Sequence, residues 1–205
     1  IQDTPLMSTD APETDAPEYE YTIRRKVLTL FGAKFHIFNA PGDLIGFSKQ
    51  KAFKLKEDIR VFTDETASNP LISIKARNIV DFSACYDVID QKNQVSLGAL
   101  RRKGFSSMVR DSWEVLTETE APVAKIEEDS MGLALVRRFV PLGNLFPQRF
   151  HLADASGTEF ARFSSNFNPF VQKMKVAIFP NCPINPMLVL AAGILLVAIE
   201  GRQKG

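Results

Sequence analysis

Thirteen consecutive apolar residues, Met187–Ile199, stand almost at the end of the chain, and whatever fold forms must hide them. Asn185 offers an oxygen to cap a helix, Pro186 suits a first turn, and Gly201 suits an end. These signals predict a helix near 186–200. Fifteen residues at 1.5 Å each make roughly 22 Å. A hydrocarbon core of ~30 Å asks for about 20 apolar residues, and runs of about 10–14 are more often core helices. No aromatic residue flanks the run closely, as interfacial anchors do. The run is apolar on every side, so one packed face would not cover it. Two readings follow: an internal helix, which these lengths favour, and a short membrane anchor.

The rest of the chain offers a wrapper. From Tyr19 onward, apolar and polar residues alternate between turn residues, the pattern of β-strands. One unit recurs: apolar-x-apolar-x-Asp/Asn-x-x-Gly. It fits Phe35–Gly46 and Phe150–Ala161, fits Tyr86–Gly98 with one extra residue, and survives in degenerate form at Trp113–Ala124. Each copy reads as a β-hairpin. Asp or Asn opens the turn by bonding its own backbone, and Gly or Asn supplies the left-handed residue. The spacing is irregular, which argues against a solenoid. Further strands are expected at Tyr21–Leu30, Ala52–Phe62, Leu71–Arg77 and Lys173–Phe179. Met131–Val140 fits a strand or a short helix. Ten or more strands closed into a barrel leave a lumen too wide for side chains alone. A helix about 10 Å across would fill it. Gly193 and the paired Ala191 and Ala192 would let it approach the wall. The expected fold is therefore α+β: a closed antiparallel barrel wrapped around its own C-terminal helix.

Charge divides the chain unevenly. Net charge is +1, yet residues 1–20 hold six acids and no Lys or Arg, which leaves the remainder at +7. The segment 1–18 repeats Thr-Asp-Ala-Pro-Glu at 9–13 and 14–18. It is too acidic and Pro-rich to bury enough apolar surface to order itself, so it is expected to be a flexible tail before a domain at 19–205. A basic domain behind an acidic tail points to an anionic partner or to self-masking of a basic face; plain solubility is the competing account. Two cysteines, Cys85 and Cys182, make no disulfide framework, and a reducing, cytoplasmic setting is expected. The N-terminus lacks the apolar segment of a signal peptide.

The order of these features resembles the tubby C-terminal-like superfamily, which includes LURP-one-related proteins and phospholipid scramblases. The stretch Arg24–Phe38 with Asn39 in the turn is similar to the opening of LURP-one-like proteins. Asn166–Val176 followed by an apolar helix is similar to the end of a scramblase. The resemblance implies a twelve-stranded barrel around a central hydrophobic helix. Scramblases place acidic calcium ligands before that helix, whereas this chain reads Val171-Gln172-Lys173, without the carboxylates calcium prefers. The cysteine cluster of animal scramblases is also missing. Calcium-activated scrambling therefore departs from the pattern.

The resemblance also implies a head-group site. Tubby domains grip phosphoinositides partly through a Lys-x-Arg pair on a strand before a hairpin, and Lys75 and Arg77 hold a similar place. Alternation puts both on one strand face, and Arg can bind phosphate bidentately. Lys54 and Lys56 form a weaker pair of the same kind. The competing account is an exposed strand face kept soluble by charge. Other basic clusters are Arg24-Arg25-Lys26, Arg101-Arg102-Lys103 and Arg137-Arg138. Anionic lipid attracts such residues at ~1 kcal/mol each. Nucleic acid ranks lower, because no aromatic stacking platform interleaves with the arginines.

Enzymatic motifs are missing. There is no Walker-type loop and no Gly-x-Ser-x-Gly elbow. His36 and His151 fall at the same position of two hairpin copies, which points to a shared structural role. Cys85 and Trp113 read as packing residues. No metal site, catalytic residue or cofactor is expected. The functional expectation is a non-enzymatic module for anionic phospholipid head groups. The alternatives are a protein-interaction scaffold and a scramblase-like lipid transporter anchored by the helix.

Overall fold

Alternation becomes strand wherever the structure, a computed structural model, describes the chain: residues 16–28, 32–50, 58–77, 84–103, 112–129, 148–166 and 171–199. The strands are β1 (Tyr19–Leu28), β2 (Gly32–Asn39), β3 (Leu44–Gln50), β4 (Asp58–Phe62), β5 (Pro70–Ala76) and β6 (Cys85–Asp90). They continue with β7 (Val95–Lys103), β8 (Ser112–Leu116), β9 (Pro122–Glu128), β10 (Arg149–Ala153), β11 (Glu159–Ser165) and β12 (Val171–Ile178). Each pairs antiparallel with its sequence neighbours, and β1 pairs with β12 to close a twelve-stranded barrel. Residues 29–30 and 52–57 of the expected strands, and 131–140, which fit a strand or a short helix, lie outside the described residues, and so do Lys54 and Lys56.

The lumen holds a helix, α1 (Pro186–Ile199). Every residue from Leu188 to Ile199 is buried, as a helix apolar on all sides requires. Inward-facing Ile23, Phe35, Ile37, Ile72, Ile74, Val88, Phe163 and Val176 pack with it in one core. A Cβ at Gly193 would meet Val176 at 2.8 Å and Ile23 at 3.0 Å. The missing side chain is what lets α1 lie this close to β12 and β1. The ends are tied as well. Asn185 Oδ1 accepts the Met187 N–H at 2.9 Å, an N-cap. At the other end Arg25, 4% exposed and facing inward from β1, donates to the Val197 carbonyl at 2.9 Å. It also donates to Gln172 Oε1 at 3.3 Å.

The recurring sequence unit is a physical device. The β2–β3, β4–β5, β6–β7, β8–β9 and β10–β11 hairpins each carry a register shift just before the turn. Such shifts bend a strand and raise its twist, which helps a sheet close. In the turns, Asn39 Oδ1 accepts from the Gly42 and Asp43 N–H groups, and Asp154 Oδ1 accepts from those of Ser156 and Thr158. Gly42 and Gly157 are left-handed, at φ +100° and +88°. The β6–β7 copy differs from expectation. Its extra residue moves the left-handed position from Asn93 to Gln94, at φ +56°. In the β8–β9 turn Glu120 takes that role, at +65°. A further copy, Asp64 to left-handed Ala67, joins β4 to β5.

Candidate functional site

All these turns, together with the entry of α1, share one end of the barrel. Lysines and arginines gather on the outer wall toward the other. In β1, Tyr21, Ile23 and Arg25 face the core, which turns Arg24 and Lys26 outward. In β2, Ala33, Phe35 and Ile37 face in, which turns Lys34 and His36 out. The register then sets Lys26 opposite Lys34, and Lys34 opposite Lys49. Three lysines stand side by side across β1, β2 and β3. Arg24 lies opposite Lys173 of β12 in the adjoining row. Its guanidinium sits 4.6 Å from the centre of the Phe38 ring.

Directly opposed residues lie ~5 Å apart, and like charges there destabilise the sheet. Elsewhere on the wall carboxylates relieve such charge: Glu114 takes Arg101 at 2.6 Å and Lys103 at 3.1 Å. Burial pushes the Glu114 carboxyl up, but hydrogen bonds from Arg101 and Lys103 outweigh it and hold it below the ordinary value. Lys175 has Glu20 at 3.4 Å. Among the described residues no carboxylate pairs with Lys26, Lys34, Lys49 or Lys173.

The expected Lys75–Arg77 pair has different surroundings. Both are exposed and on the same side of the wall. Lys75 sits between Asp58 of β4 and Asp87 of β6. Arg77 grips Asp87 through Nε and Nη2 at 2.6–3.0 Å and reaches Glu120 at 2.7 Å. The Asp87 hydrogen bond raises the guanidinium pKa further. Beneath, on the outer side of the sheet, lie buried Cys85, Ala99 and Leu116. Burial pushes the Cys85 thiol up, away from the reactive thiolate. Arg77 is thus the clamp of a small outer cluster. A phosphate there would have to compete with two carboxylates.

The histidines follow their repeat. His36 Nε2 meets Glu65 at 2.9 Å and His151 Nδ1 meets Asp129 at 2.8 Å, each from the outer face. His151 opens on a groove of about 800 Å³ that includes Arg149 and Ser164. Among the described residues no hydrogen bond joins a serine or thiol to this imidazole. Trp113, 2% exposed, is part of the wall. No group of three or more potential metal ligands forms among the described residues. No described helix is long and apolar enough to cross a membrane.

The fold defines a class: closed antiparallel barrels threaded by their own apolar helix. Residues 44–197 match the LURP-one-related family model, and the chain belongs to that family. It is also similar to a protein from Arabidopsis thaliana solved by X-ray crystallography. That likeness has 13% identity and a TM-score of 0.50, covering 91% of this chain and 94% of the other. At this identity it speaks for the fold alone. No curated protein matches the chain.

Proposed function

We propose that the protein is a non-enzymatic module that docks on anionic phospholipid head groups, peripherally at a membrane surface, through the outer face of β12, β1, β2 and β3. The observation that carries this reading is the Lys26–Lys34–Lys49 row. Three adjacent cations without carboxylate partners among the described residues cost stability in the free protein. Bound phosphates would remove that cost and gain charge-assisted hydrogen bonds. Arg24 and Lys173 widen the row into a patch that suits a charged surface. Lys75 and Arg77 contribute less, because Asp58, Asp87 and Glu120 already balance them.

The test is co-sedimentation of the full chain, without detergent, with phosphatidylcholine vesicles and with vesicles also holding phosphatidylserine. At ~1 kcal/mol per surface lysine, Lys26→Gln with Lys49→Gln should weaken anionic binding roughly thirtyfold. Lys75→Gln should change it little, and salt should suppress binding throughout. Equal pelleting with both vesicle types, or equal loss from Lys75→Gln, would refute the assignment.

A further inference from the structure

The opposite end of the barrel carries a second surface with inverted chemistry. Its turns hold Asp43, Asp64, Glu65, Asp90, Glu118, Glu120 and Asp154, against one cation of their own, Lys92. Several of these carboxylates accept hydrogen bonds from the turns they stabilise. Hydrogen bonds from Thr66, Asn93 and Ser156 hold Asp64, Asp90 and Asp154 respectively below the ordinary carboxylate value. In the three hairpins shaped by Asp64, Asp90 and Asp154, the device that shapes the turn therefore also fixes negative charge on this rim.

Within the rim lies an open apolar groove of about 430 Å³, where α1 enters the barrel. Leu116 and Leu188 line it together with Leu97, Val123 and Ile184. Thr117, Glu118 and Thr119 form one lip. Val95, two residues before Leu97 in β7, is an apolar side chain 49% exposed at this end of the barrel.

We infer that this rim docks a basic segment of a partner protein, which places an apolar side chain in the groove and lysines or arginines against the turns. Charge complementarity selects this occupant over an anionic one such as a fatty acid. The N-terminus of α1 does offer roughly half a positive charge. However, Asn185 already takes the Met187 N–H and its backbone oxygen the Leu188 and Val189 N–H groups. Of the seven carboxylates, Arg77 takes Glu120 and His36 meets Glu65; the other five still outweigh that half charge. An apolar anchor in a desolvated pocket, ringed by polar contacts, is the usual pattern of a protein interface. Opposed charge across the rim would supply speed and selectivity.

The inference stands apart from the lipid reading, because the two surfaces occupy opposite ends. Its test titrates the ¹⁵N-labelled full chain with a synthetic amphipathic peptide of leucine and lysine. Parallel titrations use the same peptide with glutamate for lysine, the same peptide with serine for leucine, and laurate. Amide shifts should concentrate at Leu97, Thr117–Thr119 and Ile184–Leu188, for the Leu/Lys peptide only. Glu118→Lys and Val95→Ser, both at exposed sites, should each weaken binding at least threefold. Lys26→Gln with Lys49→Gln should not. Shifts spread over the wall, equal binding of the serine peptide, or a groove response to laurate or the glutamate peptide would overturn the proposal. So would the absence of binding.

Discussion

A single backbone angle separates glycines that look alike in the sequence. Gly98 and Gly157 both sit beside hairpin turns and both have positive φ, +120° and +88°. A methyl group added at Gly157 would meet nothing within 4 Å, whereas at Gly98 a Cβ would overlap the Leu116 carbonyl oxygen and press on Leu188 at 3.0 Å. Gly157→Ala meets only the left-handed penalty, about 1 kcal/mol. Gly98→Ala adds overpacking against the barrel's own helix, and should cost about 3 kcal/mol in all. Urea denaturation of the two variants checks this, and equal losses would contradict the geometry. The turns were legible because their chemistry is local: Asn39 and Gly42, or Asp154 and Gly157, identify a hairpin within four residues. The Asp64–Ala67 copy escaped because its left-handed residue is alanine, which carries no such signal. Glu120 hid for a second reason. Its partner Arg77 is 43 residues away, and spacing along a chain says nothing about that distance in space.

At the scale of elements, α1 is bound to the barrel by its ends as well as its flanks. The last four carbonyls of a helix have no partner within it. In a dry lumen an unmet carbonyl is costly. Arg25 answers this by reaching inward from β1 to Val197, where its charge also faces the negative end of the helix dipole. Arg25→Met keeps an apolar stem of similar length and removes the donor. A buried charge carries its own desolvation cost, and its removal returns part of the loss. The orphaned carbonyl outweighs that return, so the variant should lose about 2 kcal/mol. Hydrogen exchange should accelerate first in the final turn of α1; loss of stability with unchanged exchange there would point to packing instead. The apolar run predicted the helix and its burial, since length and the absence of a wet face are properties of the run itself. Arg25 was legible only as one member of Arg24-Arg25-Lys26. Strand alternation sends Arg24 and Lys26 to the outer wall and Arg25 to the lumen, so one basic triplet serves two unrelated purposes. The Lys26–Lys34–Lys49 row depends likewise on register, the pairing of β1 with β2 and of β2 with β3.

Barrel and helix form one object because neither has an alternative environment. Without α1, the inward side chains of twelve strands would face a cavity. Such side chains lose both transfer and packing energy when their neighbours are removed. Without the barrel, α1 would expose an apolar surface on every side and would have no wet face to keep it in solution. A helix of 14 residues is also near the lower limit of independent stability in water. Two probes can report the two parts separately. Trp113, the one tryptophan of the chain, lies in the wall at 2% exposure, so its fluorescence follows the barrel. The amide cross-peaks of α1, followed by nuclear magnetic resonance, report the helix residue by residue. If the two parts are mutually dependent, both signals should change in one transition with a common midpoint in urea, the mark of two-state unfolding. If instead the helix were a separable anchor, its signal would persist after the tryptophan became exposed, or vanish before it. A split of that kind would remove the packing argument for the barrel's closure, since the wall would then have shown that it stands without its core.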